Sequence, residues 1–125
     1  MRRKKRNLYF QKDKKVNLVT KTTGQDDDGF DTTVYQYLNK SPLWAYTSQL
    51  SQEQTLEARA YGSHEKRFFV LNYRNDVKPL DYVEYKSNFY IVTRVDTTDD
   101  YNTELFIYVA DLENGEKPSN IQPAD

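Results

Sequence analysis

The sequence predicts a mainly β protein, a small β-barrel or sandwich of about six to seven antiparallel strands with one short α-helix around residues 51–60. Short runs of β-branched and aromatic residues recur about every ten residues, with Gly, Pro, Asn or Asp between them. One segment alone carries a convincing helix start signal. The length of 125 residues suits one domain with a modest core.

The first strands are predicted from alternating apolar and polar residues. Alternation at Leu8–Gln11 and again at Val16–Thr20 predicts one or two strands, with a break between the two runs. Glycine and aspartate dominate Gly24–Gly29, which is therefore a predicted loop. Thr32–Leu38 has strand composition, and Pro42 interrupts the pairing before the next strand.

The helix is predicted by a capping box. The Ser51 hydroxyl can accept the amide of Gln54, whose side chain can reach back to Ser51. The longest predicted strand follows at His64–Arg74, where Phe68 and Phe69 must face opposite ways. Both faces of this strand are apolar, so we expect the core to cover one face and a further group to cover the other.

The last strands are predicted at Tyr82–Tyr85, Phe89–Val92 and Leu105–Val109, the first two as a hairpin. These elements give three predicted regions. Residues 1–6 form a flexible basic arm, residues 7–113 form the single barrel domain, and residues 114–125 form an extended or disordered tail.

Charge is unevenly distributed although the net charge is only −1. Residues 1–21 contain nine basic residues and one acid, whereas the other 104 residues contain nine basic and eighteen acidic residues. Such an arm can bind DNA phosphate, dock on an acidic protein surface or serve as a solubilising tail. The candidate partner-docking residues are Arg2, Arg3, Lys4, Lys5 and Arg6.

No residue pattern indicates reaction chemistry, and no catalytic, cofactor-binding or metal-binding residues are predicted. The chain lacks cysteine, which excludes disulfides and fits a reducing assembly environment. His64 is the only histidine, and no G-x-S-x-G motif accompanies it. No apolar run reaches the roughly 18 residues of a membrane span, and no signal-peptide core follows the basic start.

The acidic loop does not fit a calcium site. Aligning Gly29 with the invariant glycine of an EF-hand puts Gly24 at the first ligand position and Tyr35 at the twelfth, and neither supplies the required carboxylate. A solvated loop is one interpretation; a loop that faces DNA in a channel and repels phosphate is another. The candidate channel-loop residues are Gly24, Asp26, Asp27, Asp28, Gly29 and Asp31.

Tyrosines on the predicted strands allow another function, because OB-folds stack single-stranded bases on aromatic rings. The net acidic body disfavours it, since such binders track the backbone with a basic groove. Subunit contacts rich in tyrosine are the competing interpretation. The tyrosines concerned are Tyr35, Tyr37, Tyr46, Tyr73, Tyr85, Tyr90 and Tyr108.

The order of these signals resembles the head–tail joining proteins of tailed bacteriophages, the head-closure or stopper family. No single motif is diagnostic, and the resemblance covers roughly residues 6 to 113 through an ordered set of segments. The segments are Arg6–Gln11, Asp28–Phe30, Leu43–Tyr46, Ser51–Ala60, Asn72–Arg74, Val77–Val83 and Tyr85–Asp96.

The resemblance implies a structural virion protein without a cofactor. Such proteins form a ring, commonly of twelve subunits, that closes the DNA-filled head and offers the tail a platform. The implied partners are a portal or adaptor ring above, a tail-terminator or tail-tube protein below and packaged double-stranded DNA bound non-specifically, with no membrane. The implied location is the virion neck, assembled in the bacterial host cytoplasm. A tail-completion or terminator component is the related alternative.

Overall fold

The computed structural model describes residues 10–60, 64–97, 103–113 and 116–125. Within them, seven antiparallel strands and one short helix form a sheet that closes into a six-stranded barrel, which confirms the predicted fold class. The elements are β1 (Lys14–Gln25), β2 (Asp31–Tyr37), β3 (Leu43–Gln49), α1 (Gln52–Ala60), β4 (Arg67–Asn72), β5 (Tyr82–Tyr85), β6 (Asn88–Thr97) and β7 (Glu104–Asp111).

The long strand β1 closes the barrel because it has partners on both edges. Its first residues pair with β3, and Asn17–Val19 pair with β5. Val19 pairs with Tyr37 of β2 as well as with Tyr82 of β5. Among the described strands, only β2 accompanies β1 after Val19, so the ends of these two strands extend beyond the closed barrel as a two-stranded ribbon.

Neighbouring residues of β4 face opposite sides of the barrel wall, as predicted. Phe69 and Leu71 belong to the interior cluster, whereas Phe68 lies among aromatic rings on the outer side. The interior is closely filled, and Phe69 has no exposed surface. The buried interior residues are Val16, Leu18, Ala45, Phe69, Leu71, Val83, Tyr85, Val92, Leu105, Ile107 and Val109.

The helix α1 begins with the predicted capping box. The Ser51 amide donates to Gln54 Oε1 over 2.9 Å, and the Gln54 amide donates to Ser51 Oγ over 3.1 Å. The helix is polar, and Leu56 on it is 60% exposed. The described residues contain no helix that is long and apolar enough to span a membrane.

Several element boundaries differ from the predicted ones: β4 is shorter than the predicted strand His64–Arg74, and β6 continues past Val92 to Thr97. β1 begins at Lys14, so it includes part of the predicted break, because these residues pair with β3. Gly24 pairs with Thr32, and Gln25 pairs with Asp31, so the first residues of the predicted loop and both ends of the candidate channel loop belong to strands. The loop between β1 and β2 is therefore limited to residues 26–30.

The end of the chain lies against the outer edge of β2. Gln122 forms a parallel bridge with Gln36, its amide donates to the Tyr35 carbonyl, and its carbonyl accepts the Tyr37 amide. Pro118, four residues before Gln122, is buried. These contacts cover part of a strand edge that would otherwise present free backbone groups.

Candidate functional site

The predicted channel-loop residues lie together at the tip of the β1–β2 ribbon. Asp26 organises the turn, because its Oδ1 accepts the amides of Asp28 (3.0 Å) and Phe30 (2.9 Å). Gly29 has a φ of 84°, in the left-handed region that suits glycine. Asp27 and Asp28 are exposed, and Phe30 is 69% exposed. The tip therefore presents carboxylates and one large apolar side chain to its surroundings.

The remaining candidate channel-loop residues, Gly24 and Asp31, lie in the strands on either side of this tip. Gly24 is the second-last residue of β1 and pairs with Thr32. Asp31 is the first residue of β2 and pairs with Gln25. The predicted docking arm, Arg2, Arg3, Lys4, Lys5 and Arg6, lies outside the described residues.

A cluster of aromatic rings covers the outer side of β3, β4 and β7; we call it the outer aromatic face. Phe68 stacks on Phe106 at 6.0 Å between ring centroids, and Phe10 meets Phe106 and Tyr46 edge-on at 5.2 and 5.4 Å. Tyr108 continues the cluster beside Phe68. All five rings are half-buried, so each keeps a surface for further contacts.

Arg94 lies at one edge of the outer aromatic face, over the ring of Tyr108. Its guanidinium carbon lies 3.7 Å from the centroid of the Tyr108 ring, a cation–π contact. Its Nε donates over 2.9 Å to the buried carboxylate of Glu65, which also accepts the hydroxyl of Thr93. Partial burial disfavours the charged form of Arg94 and lowers its pKa. The hydrogen bond and the negative charge of Glu65 outweigh this effect, so the pKa of Arg94 is raised. Its charge is therefore permanent.

A β-bulge in β6 makes this arrangement possible. Val92 pairs with Val109, and Arg94 pairs with Tyr108, so Thr93 is an additional residue. The Thr93 hydroxyl bonds both Glu65 and the Tyr108 carbonyl. No sequence signal indicated this bulge, because its position depends on the pairing with β7.

Trp44 and Tyr73 form a second, more exposed aromatic site. Trp44 is 54% exposed, and Lys15 Nζ lies 5.0 Å from its ring centroid. A pocket of about 310 Å³ lies between β3 and the end of β4 and includes both aromatic residues and Arg74. Asp76 holds Arg74 through two hydrogen bonds of 2.8 and 2.9 Å. Aromatic rings beside fixed cations suit stacking with a planar group.

The predicted strand tyrosines do not share one face. Tyr85 is part of the interior, where its ring meets Phe69 at 5.6 Å, and Tyr90 meets the same ring at 6.2 Å. Tyr37 donates its hydroxyl to Glu84, and burial, followed by the charge of Glu84, raises the pKa of Tyr37. The described rings therefore do not form a single continuous stacking surface.

A turn between β4 and β5 exposes an apolar side chain. Lys78–Asp81 closes with a 3.1 Å bond from the Asp81 amide to the Lys78 carbonyl, and Leu80 in it has a φ of 78°. Asp81 is buried and accepts the Thr20 hydroxyl over 2.8 Å. Leu80 is 68% exposed beside a groove of about 440 Å³, whose edge includes His64.

Pro79 is a turn signal in the sequence, but no local pattern indicates the groove. The left-handed conformation of Leu80 has no local signal, because glycine is the usual residue at this turn position. The one sequence feature that could have indicated this site is a leucine, Leu80, directly after the proline of the turn.

No family model matches the chain, and no curated protein matches it. Several solved chains share its fold, and two of them are informative. One is the solution structure of a protein from Shigella flexneri 2a, with a TM-score of 0.65 and 16% identity, over 83% of this chain and 94% of that chain. The other is a chain of the virion of a native gene transfer agent particle, with a TM-score of 0.50 and 13% identity, over 78% and 91% of the two chains.

Proposed function

We propose that the protein is a structural component of a tailed-phage or phage-related particle. In this role it forms a ring at the head–tail connector, closes the DNA-filled head and provides the platform for the tail. The observation that carries the proposal is the fold shared with a chain of a gene transfer agent virion. The proposed location is the virion neck, and the proposed role needs no catalysis and no cofactor.

The outer aromatic face supports assembly with other protein. It combines half-buried Phe and Tyr side chains with the exposed Arg94, a composition typical of protein interfaces. Head-to-tail contacts between copies close into a ring when their rotation allows it. We propose twelve copies, with a portal or adaptor ring above and a tail-terminator or tail-tube protein below.

The acidic hairpin tip supports a position beside packaged DNA. It extends beyond the barrel on a two-stranded ribbon, and its Asp27 and Asp28 side chains are free to face a channel. Carboxylates repel phosphate, which keeps a DNA strand from binding tightly to the channel wall. The DNA contact in this proposal is non-specific.

Electron microscopy of particles assembled without the protein tests the proposal. We expect full-sized heads that have lost DNA, beside separate tails, and restoration of joined particles by the chain supplied in trans. Sealed, DNA-filled heads without tails would move the role to tail completion. Normal joined particles in the absence of the protein would contradict both.

The site at Trp44 favours a second candidate function, an OB-like single-stranded nucleic-acid-binding module. Trp44 and Tyr73 are exposed beside the cations Lys15 and Arg74. Fluorescence anisotropy with oligonucleotides separates the candidates. Submicromolar, salt-sensitive binding that Trp44→Ala abolishes would favour this module over the structural role.

A further inference from the structure

We infer that the chain's own basic arm, residues 2–6, occupies the groove beside Leu80. Residues 7–9 carry the arm to the groove as a strap that crosses the outer aromatic face along β7. The inference concerns a single copy of the chain, so it goes beyond the proposed function and does not depend on the proposed assembly. The groove has a volume of about 440 Å³, and its apolar part consists of Leu80, Ile91 and Ala110.

The groove continues the outer aromatic face along β7. Side chains alternate along a strand, so Phe106, Tyr108 and Ala110 share the outer side of the barrel wall. Ile91 of β6 pairs with Ala110, and directly opposed residues of paired strands share a face. Both of these residues line the groove. A segment that lies on Phe106 can therefore reach the groove without leaving this side of the wall.

Two contacts set the direction of the segment before β1. Lys12 pairs with Glu104 at the start of β7 over 2.6 Å, and the Phe10 ring lies 5.2 Å from the Phe106 ring. Each step towards the start of the chain is thus matched by an equal step along β7 in the opposite sense. Extended chains rise by about the same length per residue, so this register can be continued. It brings residues 7–9 past Tyr108 and residues 2–6 to the end of β7.

The residues of the strap match the surface that they cross. Arg94 lies over the ring of Tyr108, and the residues that pass this position, 7–9, carry no charged side chain. By the two-residue period of extended chain, Leu8 turns to the same side as Phe10 and meets the half-buried ring of Tyr108. Burial of this leucine stabilises the crossing.

The charge of the groove is complementary to the arm. Asp111, Glu113 and Glu116 line it. Within the described part of the chain, Glu113 and Glu116 form no ion pair, and Asp111 pairs only with Lys66, both side chains being mostly exposed. Such an exposed pair is weak and can be exchanged for another. All five residues of the arm, 2–6, are basic, so the positive charges begin where the surface becomes acidic.

Disulfide trapping within one chain tests the inference, and the absence of cysteine makes an introduced pair unique. The register places Arg3 at the level of Glu113, so the full-length variant Arg3→Cys/Glu113→Cys is oxidised mildly at low protein concentration and low salt. We expect a linked monomer whose yield does not depend on protein concentration. Linked dimers that replace linked monomers as the concentration rises would assign the groove to the arm of another copy and overturn the inference.

Arg3→Cys/Glu57→Cys is the matched control. Glu57 is an exposed acid like Glu113, and its helix α1 lies at the same end of the barrel, because Thr55 and Asp111 line a common pocket. An arm that moves freely would reach both positions. We expect a much lower yield of linked monomer from the control. Equal yields, or no linked monomer in either variant, would overturn the inference.

Substitutions in the strap provide a second measurement. In the Arg3→Cys/Glu113→Cys chain, Leu8→Lys should lower the rate of trapping by about tenfold, because it removes a buried apolar side chain and puts a cation beside Arg94. Tyr9→Lys adds the same charge on the side that turns away from β7, and should leave the rate nearly unchanged. An equal loss in both variants would show an effect of net charge alone, and no loss in either would show that Leu8 has no contact; both results would contradict the inference.

Discussion

The adjacent residues Phe68 and Phe69 allow a sharp test of the barrel wall. Phe69 has no exposed surface and contacts two rings in the interior, so Phe69→Ala leaves a cavity as well as losing buried apolar area. We expect a loss of about 3–5 kcal/mol in the free energy of unfolding, a large share of the total of a small domain. Phe68 is half-buried on the outer side, and its removal opens a surface site that water can fill.

For Phe68→Ala we therefore expect a smaller loss of about 1–2 kcal/mol, from partial burial and the lost ring contacts. Urea unfolding, monitored by circular dichroism, measures the stability of both variants. An unchanged dependence of the unfolding free energy on urea concentration indicates that the denatured state is unaltered. Leu56→Ala on the exposed face of α1 is the control and should stay within about 0.5 kcal/mol of the parent chain. Equal losses for the two phenylalanines would refute the assignment of their faces.

Two further predictions concern carboxylates. The hydrogen bonds from Arg74 hold the pKa of Asp76 below its usual value, so the stability that Asp76 contributes is present at neutral pH and is lost as the pH falls below about 4. Asp76→Asn should flatten that part of the pH profile in urea unfolding; identical profiles would contradict the ion pair. Asp81→Ala should cost about 1–3 kcal/mol, because it leaves the Thr20 hydroxyl without its buried acceptor. The control Asp27→Ala, on the exposed hairpin tip, should cost nothing measurable, and a similar loss in both would be inconsistent with a buried role for Asp81.

Local chemistry explains what could be predicted from the sequence. The capping box at Ser51 and Gln54 fixes the start of α1 through bonds between residues three apart, so the sequence alone indicates it. The opposite faces of Phe68 and Phe69 follow from the two-residue period of a strand. The acidic hairpin tip could be placed between two strands from its glycine and aspartate content.

The remaining features depend on contacts between distant segments. The pairing of Asn17–Val19 with β5 joins residues more than sixty positions apart, and no local pattern specifies it. The cation–π contact of Arg94 requires the bulge at Thr93, which exists only against β7. The groove beside Leu80 combines a turn, two strands and the segment after β7, so its acidic and apolar residues are scattered along the sequence.

The two-sided pairing of β1 has a consequence for synthesis on the ribosome. β1 emerges before the other strands of the barrel, but its last barrel partner, β5, is not complete until Tyr85 has been made. Until then one edge of Asn17–Val19 presents unpaired backbone groups, which can join a strand of another nascent chain. A chain that stops before Tyr82 lacks this partner altogether, so premature termination in the region between β4 and β5 should yield aggregating products.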